Sequence, residues 1–401
     1  MKISQVNRYL AHKQHLLPVS HVTDVVQATR DIVALHTTDP TAPYLSLWAR
    51  IADFRREMLE DALYEKRALI KLLCMRVTLH VVPSDEAPLF FQAYSEHRLR
   101  PETLRFGDLL VQAGLCREEE VEAFLEGLQR RVLDVLTERG SSTVRQINQA
   151  VPELQAKIRH SVGKPYEGKI GVGSYLVSNI MCAQGAIIRA RPRGTWRSNL
   201  YEYATLSDWL PGVDLESIAP QEAKTWLVRR YLAAFGPATL DDVQWWTGFT
   251  KGETEETLEQ LGSVVVKVAL EDWDYEYLML ADDAQQLRGF IPADDPYVFL
   301  LPCLDPYIMG YQDRHRFLAP EHHAKIFDRA GNAVPTVWVN GRVVGAWGQR
   351  KEDGSVIYGL FEPVEKGAQV FLEDKRQQLE EFLDGEFLPP RFRTSFTRAL
   401  K

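Results

Sequence analysis

Residues 129 to 152, QRRVLDVLTERGSSTVRQINQAVP, and residues 226 to 250, WLVRRYLAAFGPATLDDVQWWTGFT, share one grammar. Each reads as a helix, a tight turn opened by glycine, and a second short helix N-capped by Ser or Thr. Two helices joined in this way form a helix-turn-helix unit, and the segment behind each unit decides its class. Behind the first comes GAIIRARPRGTWRSNLYEY (185 to 203), two β-prone runs around a Pro-Arg-Gly turn, which predicts a hairpin wing. Behind the second comes SVVVKVALEDWDYEYLML (263 to 280), again two strands. Near the N-terminus ALIKLLCMRVTLHVVP (68 to 83) predicts an apolar hairpin behind a helix at about 56 to 66. From about residue 295 alternating strands broken by Asn-Gly and Asp-Gly predict a small β-rich domain, closed by an amphipathic helix over 371 to 387. The expected fold is therefore α+β. Tandem winged-helix domains occupy 1–110, 111–215 and 216–294, and a β-rich C-terminal domain occupies 295–401.

Composition removes several alternatives. The chain has 401 residues, 45% hydrophobic and 25% charged, which is ordinary for a folded multi-domain protein. Its formal net charge of −8 means that any nucleic-acid binding must use a local basic face. Cys74, Cys116, Cys182 and Cys303 lack the close pairing of a zinc site, and no apolar leader precedes them. They are expected to be reduced, buried fillers in a cytoplasmic protein. No run of about eighteen apolar residues predicts a membrane span.

Three constellations could carry chemistry. The first is DIVALHTTDPTAPYLSLWARI (31 to 51), which reads as a helix stopping at His36, Thr37, Thr38 and Asp39 and restarting after Pro40. This polar knot is either a helix stop, with Thr or Asp bonding free backbone groups, or a site. The second is MRVTLHVVP, where Arg76, Thr78 and His80 alternate on one predicted strand and share a face. That face either supports the knot through hydrogen bonds or touches DNA. A metal held by His36, His80 and an aspartate lacks a local ligand motif, so no metal and no cofactor are expected. The third is the predicted wing, where Arg189, Arg191, Arg193 and Arg197 surround Trp196. Arginines on one strand face could clamp phosphates while the indole stacks or wedges.

LHTTDPTAPYLSLWARI, MRVTLHVVP, FGPATLDDVQWWTG, LLPCLDPYIMGYQDR and PTVWVNGRVVGAW resemble, in order and at the expected separations, the motifs of the AlkZ/YcaQ family of bacterial DNA glycosylases. The resemblance runs from about residue 5 to 390. It implies a C-shaped array of winged-helix domains closed by a β-rich domain around a channel for double-stranded DNA. It also implies excision of alkylated bases, including bulky adducts and interstrand crosslinks, by a chain expected to act as a monomer. Asp305, Tyr307, Asp313 and Arg314 resemble the family's C-terminal signature, for which a structural, site-supporting role is expected. Trp48 and Arg50, on which the opening motif aligns, are expected to face DNA.

The family's catalytic motif falls on the polar knot, and here the chain departs from it. Relatives similar to AlkZ carry Gln-apolar-Gln and those similar to YcaQ carry Gln-apolar-Asp; this chain has His36-Thr37-Thr38. A purine alkylated at N7 or N3 is already positively charged, so its release needs no protonation of the base. What remains is to steady an oxocarbenium-like sugar and hold a water. Imidazole could orient that water and accept its proton, Thr38 could offer a second oxygen, and Asp39 could offset the developing charge. Two functions are open. One is a monofunctional glycosylase using His36, Thr38 and Asp39. The other is a non-catalytic DNA-binding protein, a damage sensor or regulator, that has lost the chemistry.

Overall fold

The computed structural model describes residues 1–160, 167–271 and 273–400 and is a mixture of helix and sheet. The chain forms two compact units, Met1–Ala62 with His80–Pro83 and Thr225–Lys401, and Leu63–Leu79 with Ser84–Lys224. Among the described residues no helix is long and apolar enough to cross a membrane.

The second unit is built around helix Val121–Arg139, where Leu125, Leu128, Val132 and Val135 recur every three or four residues and bury one stripe. Gly140 ends this helix with φ 74°, and Thr143 caps the next one, Val144–Ala150. The Thr143 hydroxyl oxygen accepts the Gln146 N–H at 3.3 Å, and the Gln146 side chain accepts the Thr143 N–H at 2.9 Å. Two of the orphan donors of this helix end are thus satisfied reciprocally. Strands Ile187–Pro192 and Tyr201–Thr205 then pair antiparallel, and Ser142–Thr143 adds to the free edge of the latter. The core beneath them centres on Phe106, which stacks on Tyr175 with ring centroids 4.8 Å apart.

In the first unit the same order of elements recurs. The helix ending at Phe235 is followed by helix Leu240–Thr247, whose Thr239–Asp242 box repeats the reciprocal cap, and then by helix Lys251–Leu261. Strands Val265–Val268 and Tyr277–Leu280 come next as an antiparallel pair. Ala238 exchanges both backbone hydrogen bonds with Leu278 and so ties the turn to that pair.

The C-terminal region carries a four-stranded antiparallel sheet of Val298–Leu301, Thr336–Val339, Arg342–Gln349 and Val356–Leu360 in sequential order. Asn340 and Gly341 link its middle strands with φ 49° and 75°, the left-handed pair that a two-residue hairpin demands. An aromatic core of Trp338, Tyr307, Phe317 and Phe299 packs on this sheet, with Trp338 and Tyr307 centroids 5.0 Å apart. The closing helix runs Lys366–Leu383, earlier than the 371 to 387 expected, because Asp384 turns left-handed with φ 50°.

Candidate active site

The polar knot does not end a helix. Helix Val25–Asp31 stops before it, Val33 takes φ 72°, and the chain then runs extended through strand Leu35–His36. A β-branched residue in the left-handed region breaks the helix on its own, so the helix-stop reading of His36, Thr37 and Thr38 is corrected. The strand pairs antiparallel with the chain at 80–81, placing Leu35 opposite Val81 and His36 opposite His80. Their imidazoles meet edge to face, centroids 4.8 Å apart, and both residues are buried.

The Thr38 N–H donates to His36 Nδ1 at 3.3 Å. A backbone amide can only donate, so Nδ1 is an acceptor and the neutral ring carries its proton on Nε2. The second ring nitrogen is therefore a donor, not the lone pair expected from the sequence. Thr38 itself is half-buried. Between them Thr37 is buried, and its hydroxyl has no hydrogen-bond partner among the described residues. Leaving such a hydroxyl unpaired costs about 1–3 kcal/mol. Thr37→Val, which restores the apolar character of that position in the resembled family, should therefore be neutral or stabilising by about 1 kcal/mol in urea unfolding. A clear loss of stability would mean that the hydroxyl is used.

Asp39 is the turn residue. Its Oδ1 accepts both the N–H and the hydroxyl of Thr41, at 2.8 and 2.6 Å, and so sets the start of helix Ala42–Trp48. Its Oδ2 faces the Cys303 thiol at 3.6 Å. Burial, reinforced by this carboxylate, pushes the thiol well above its ordinary range and keeps it protonated, as a donor. Asp39 and Cys303 form part of the wall of a cavity of about 250 Å³.

The triad of the second constellation is not one strand face. Arg76 and Val77 both adopt left-handed backbone, φ 53° and 57°, in the turn Met75–Val77, so the strand begins only at Thr78. Arg76 projects from that turn and is exposed. The Thr78 hydroxyl closes the turn by donating to the Met75 carbonyl at 2.8 Å. His80 remains on the strand, buried against His36 in place of the DNA contact expected for it.

Arg50 is also corrected. The expectation of a DNA-facing guanidinium fails because the side chain is fully buried in a bidentate pair with Asp305, Nη1 to Oδ2 and Nη2 to Oδ1, both 2.8 Å. Ser46 and the Tyr307 N–H fill the remaining acceptor positions of Asp305, at 2.7 and 2.9 Å. Trp48 is half-buried and leans on Phe382, with centroids 6.1 Å apart. Tyr307 lies in the aromatic core, whereas Asp313 and Arg314 line a separate open groove of about 670 Å³.

The basic hairpin expected to form a wing is less free than its sequence implies. Arg189 donates to the Ser178 carbonyl at 2.7 Å, Arg191 pairs with Glu65 at 2.7 Å, and Arg193 pairs with Glu202 at 2.8 Å. A register shift between Arg189 and Pro192 breaks their common strand face. Arg197 is exposed, but Trp196 is buried, so the expected wedge or stacking indole is corrected to a core residue.

Sequence reasoning missed a different basic group. Arg391, Arg393, Arg398 and Lys351 surround the cavity that holds Asp39 and Cys303, and all four are exposed. The signal was legible: residues 387 to 401, FLPPRFRTSFTRALK, contain no acidic residue.

A family model described as DNA glycosylase AlkZ-like matches residues 29–383. The interstrand DNA cross-link repair glycosylase of Streptomyces sahachiroi is 26% identical over 287 residues, 70% of each chain. The solved structure of Streptomyces sahachiroi DNA glycosylase AlkZ superposes with a TM-score of 0.72 at 20% identity, covering 97% of this chain and 98% of the other. With its polar strand and its C-terminal sheet inside the matched region, the chain belongs to the AlkZ-like family of DNA glycosylases.

Proposed function

We propose that this chain is a monofunctional DNA glycosylase that acts as a monomer and hydrolyses the N-glycosidic bond of purines alkylated at N7 or N3, bulky adducts and interstrand crosslinks included. Its helix-turn-helix units with their strand pairs are read as winged-helix domains that engage duplex DNA. The observation that carries the reading is the placement of His36 on a paired strand, with its Nδ1 held by the Thr38 amide.

In this mechanism His36 and Thr38 divide the work of the amides in relatives. The His36 Nε2–H donates to one lone pair of a water, and the Thr38 hydroxyl oxygen accepts one of its hydrogens. The second lone pair of the water is left to attack C1′ as the charged base departs. An alkylated purine leaves as a neutral base, so no general acid is needed, and the proton of the spent water is lost after attack. Positioning, not proton abstraction, is the contribution of the pair.

The reading is tested by incubating purified protein with duplexes carrying 7-methylguanine or a bulky N7 adduct and detecting free base. Release at the rate of spontaneous depurination would favour the second reading, a damage-binding protein, which the absence of both family glutamines supports. On DNA affinity, replacing Arg189, Arg191 and Arg193 with alanine should cost about threefold or less. Two of the three already have carboxylate partners, and a phosphate gains only what those pairs give up. Anisotropy titrations at two salt concentrations check this. A tenfold loss with the salt slope reduced by two or more would return the wing to the phosphate backbone.

A further inference from the structure

We infer that the cavity walled by Asp39, Cys303 and Trp347 and ringed by Lys351, Arg391, Arg393 and Arg398 is a binding site for one alkylated nucleotide of DNA, its cationic base inside and its flanking phosphates on the rim. The inference rests on the glycosylase reading for the identity of the substrate, but not on the mechanism assigned to His36.

Charge complementarity carries it. The four rim cations have no carboxylate within ion-pair distance among the described residues, in contrast to Arg191 and Arg193 of the wing. Four exposed, unpaired cations around one opening in a net acidic chain repel one another, and an anion relieves that repulsion. The rim is also built. Thr394 donates to the Lys325 carbonyl at 2.7 Å and caps helix Ser395–Arg398, while the Leu388 N–H donates to Gln349 Oε1 at 2.8 Å. Gln349 in turn donates to the Glu386 carbonyl at 2.9 Å, so the segment carrying the arginines is tied down before and after its turn.

The interior has the opposite character. Leu45, Trp347, Ile357 and Phe392 supply apolar surface, and the buried Asp39 carboxylate is the acidic group in the lining. Thr41 occupies Oδ1 with two hydrogen bonds and Cys303 gives Oδ2 a single weak one, so Oδ2 keeps capacity for a charged neighbour. A volume of about 250 Å³ suits one planar bicyclic ring system and is far too small for a base pair with its backbone. Negative interior and positive rim together match a nucleotide whose base is cationic and whose phosphates are anionic. A free anion would meet the rim but be repelled by the wall, and an unmodified nucleotide would lose the attraction to Asp39.

The test is equilibrium binding of the full chain, followed by anisotropy, to a duplex with one 2′-fluoro-7-methylguanosine, in which the fluorine blocks base release, and to the same duplex with unmodified guanosine. The combined variant Arg391→Ala, Arg393→Ala, Arg398→Ala should bind both duplexes on the order of tenfold more weakly. Its salt slope should fall by about 0.9 for each phosphate that the variant no longer neutralises. Asp39→Asn keeps an acceptor for Thr41 and removes the charge together with the acceptor that faces Cys303; it should abolish the preference for the methylated duplex. The inference is overturned if the triple variant, folded by circular dichroism, binds with wild-type affinity and slope. It is equally overturned if the wild type shows no preference for the methylated duplex, or if Asp39→Asn keeps it. Binding as expected from a protein that releases no base would sink the glycosylase reading and leave the site standing.

Discussion

His36→Ala should slow release of 7-methylguanine from duplex DNA by about a hundredfold or more, with binding of undamaged duplex unchanged. The ring is buried on a paired strand, so removing it deletes the donor proposed to hold the water without disturbing an exposed side chain. His36→Gln restores a donor amide and should keep partial activity. The two proteins should differ in their response to pH. In the wild type, protonation at Nδ1 displaces the Thr38 amide and adds a cation beside a positively charged sugar, so release should fall on the acid side, where the ring takes up a proton. The loss appears on the acid side because only the neutral ring accepts from Thr38. The glutamine variant has no such titration, and its profile should be flat between about pH 5 and 8. Single-turnover rates across that range check both statements. A flat wild-type profile together with a fully active His36→Ala would remove His36 from the chemistry and make the damage-binding reading the better one.

Arg50→Ala should destabilise its unit by about 3–5 kcal/mol. The substitution leaves Asp305 buried, still accepting from Ser46 and from the Tyr307 amide, but without the cation that its charge requires. Arg50→Lys should also be costly, because an ammonium cannot reproduce the two parallel hydrogen bonds of the guanidinium fork. Denaturant unfolding measures the change. A variant of wild-type stability but weakened DNA affinity would reinstate the surface role expected from the sequence. The pair joins helix Ala42–Trp48 to the chain after strand Val298–Leu301. Its loss would therefore loosen the same helix whose start is set by Asp39.

Much of the local architecture could be read directly from residue order. Thr143 with Gln146 and Thr239 with Asp242 are capping boxes in the sequence and in space, because a cap is decided by side chains three residues apart. The Asn340-Gly341 hairpin is equally local. The family was legible too, since its motifs recur in order over most of the chain. Only the second half of helix Val121–Arg139, from residue 129, is read from the sequence, although its apolar stripe repeats with the helix pitch over the whole length.

Which polar residues meet, and which of them reach solvent, was decided only by tertiary structure. His36 and His80 are 44 positions apart in the chain, and only strand pairing puts one opposite the other. Arg50 and Asp305 are separated by 255 residues, and burial turned an arginine that reads as a DNA contact into a core ion pair. Arg76 left the strand face because two successive left-handed residues do not follow from an alternating pattern. The arginines of the hairpin at 187–205 look free along the linear chain, yet Glu65 and Glu202 reach two of them through the fold, whereas those around the Asp39 cavity stay unpaired among the described residues. Residue order fixes caps, turns and periodic faces because these depend on neighbours a few positions away. Charge pairing and exposure depend on which distant segments share a volume, and that is settled only when the chain is folded.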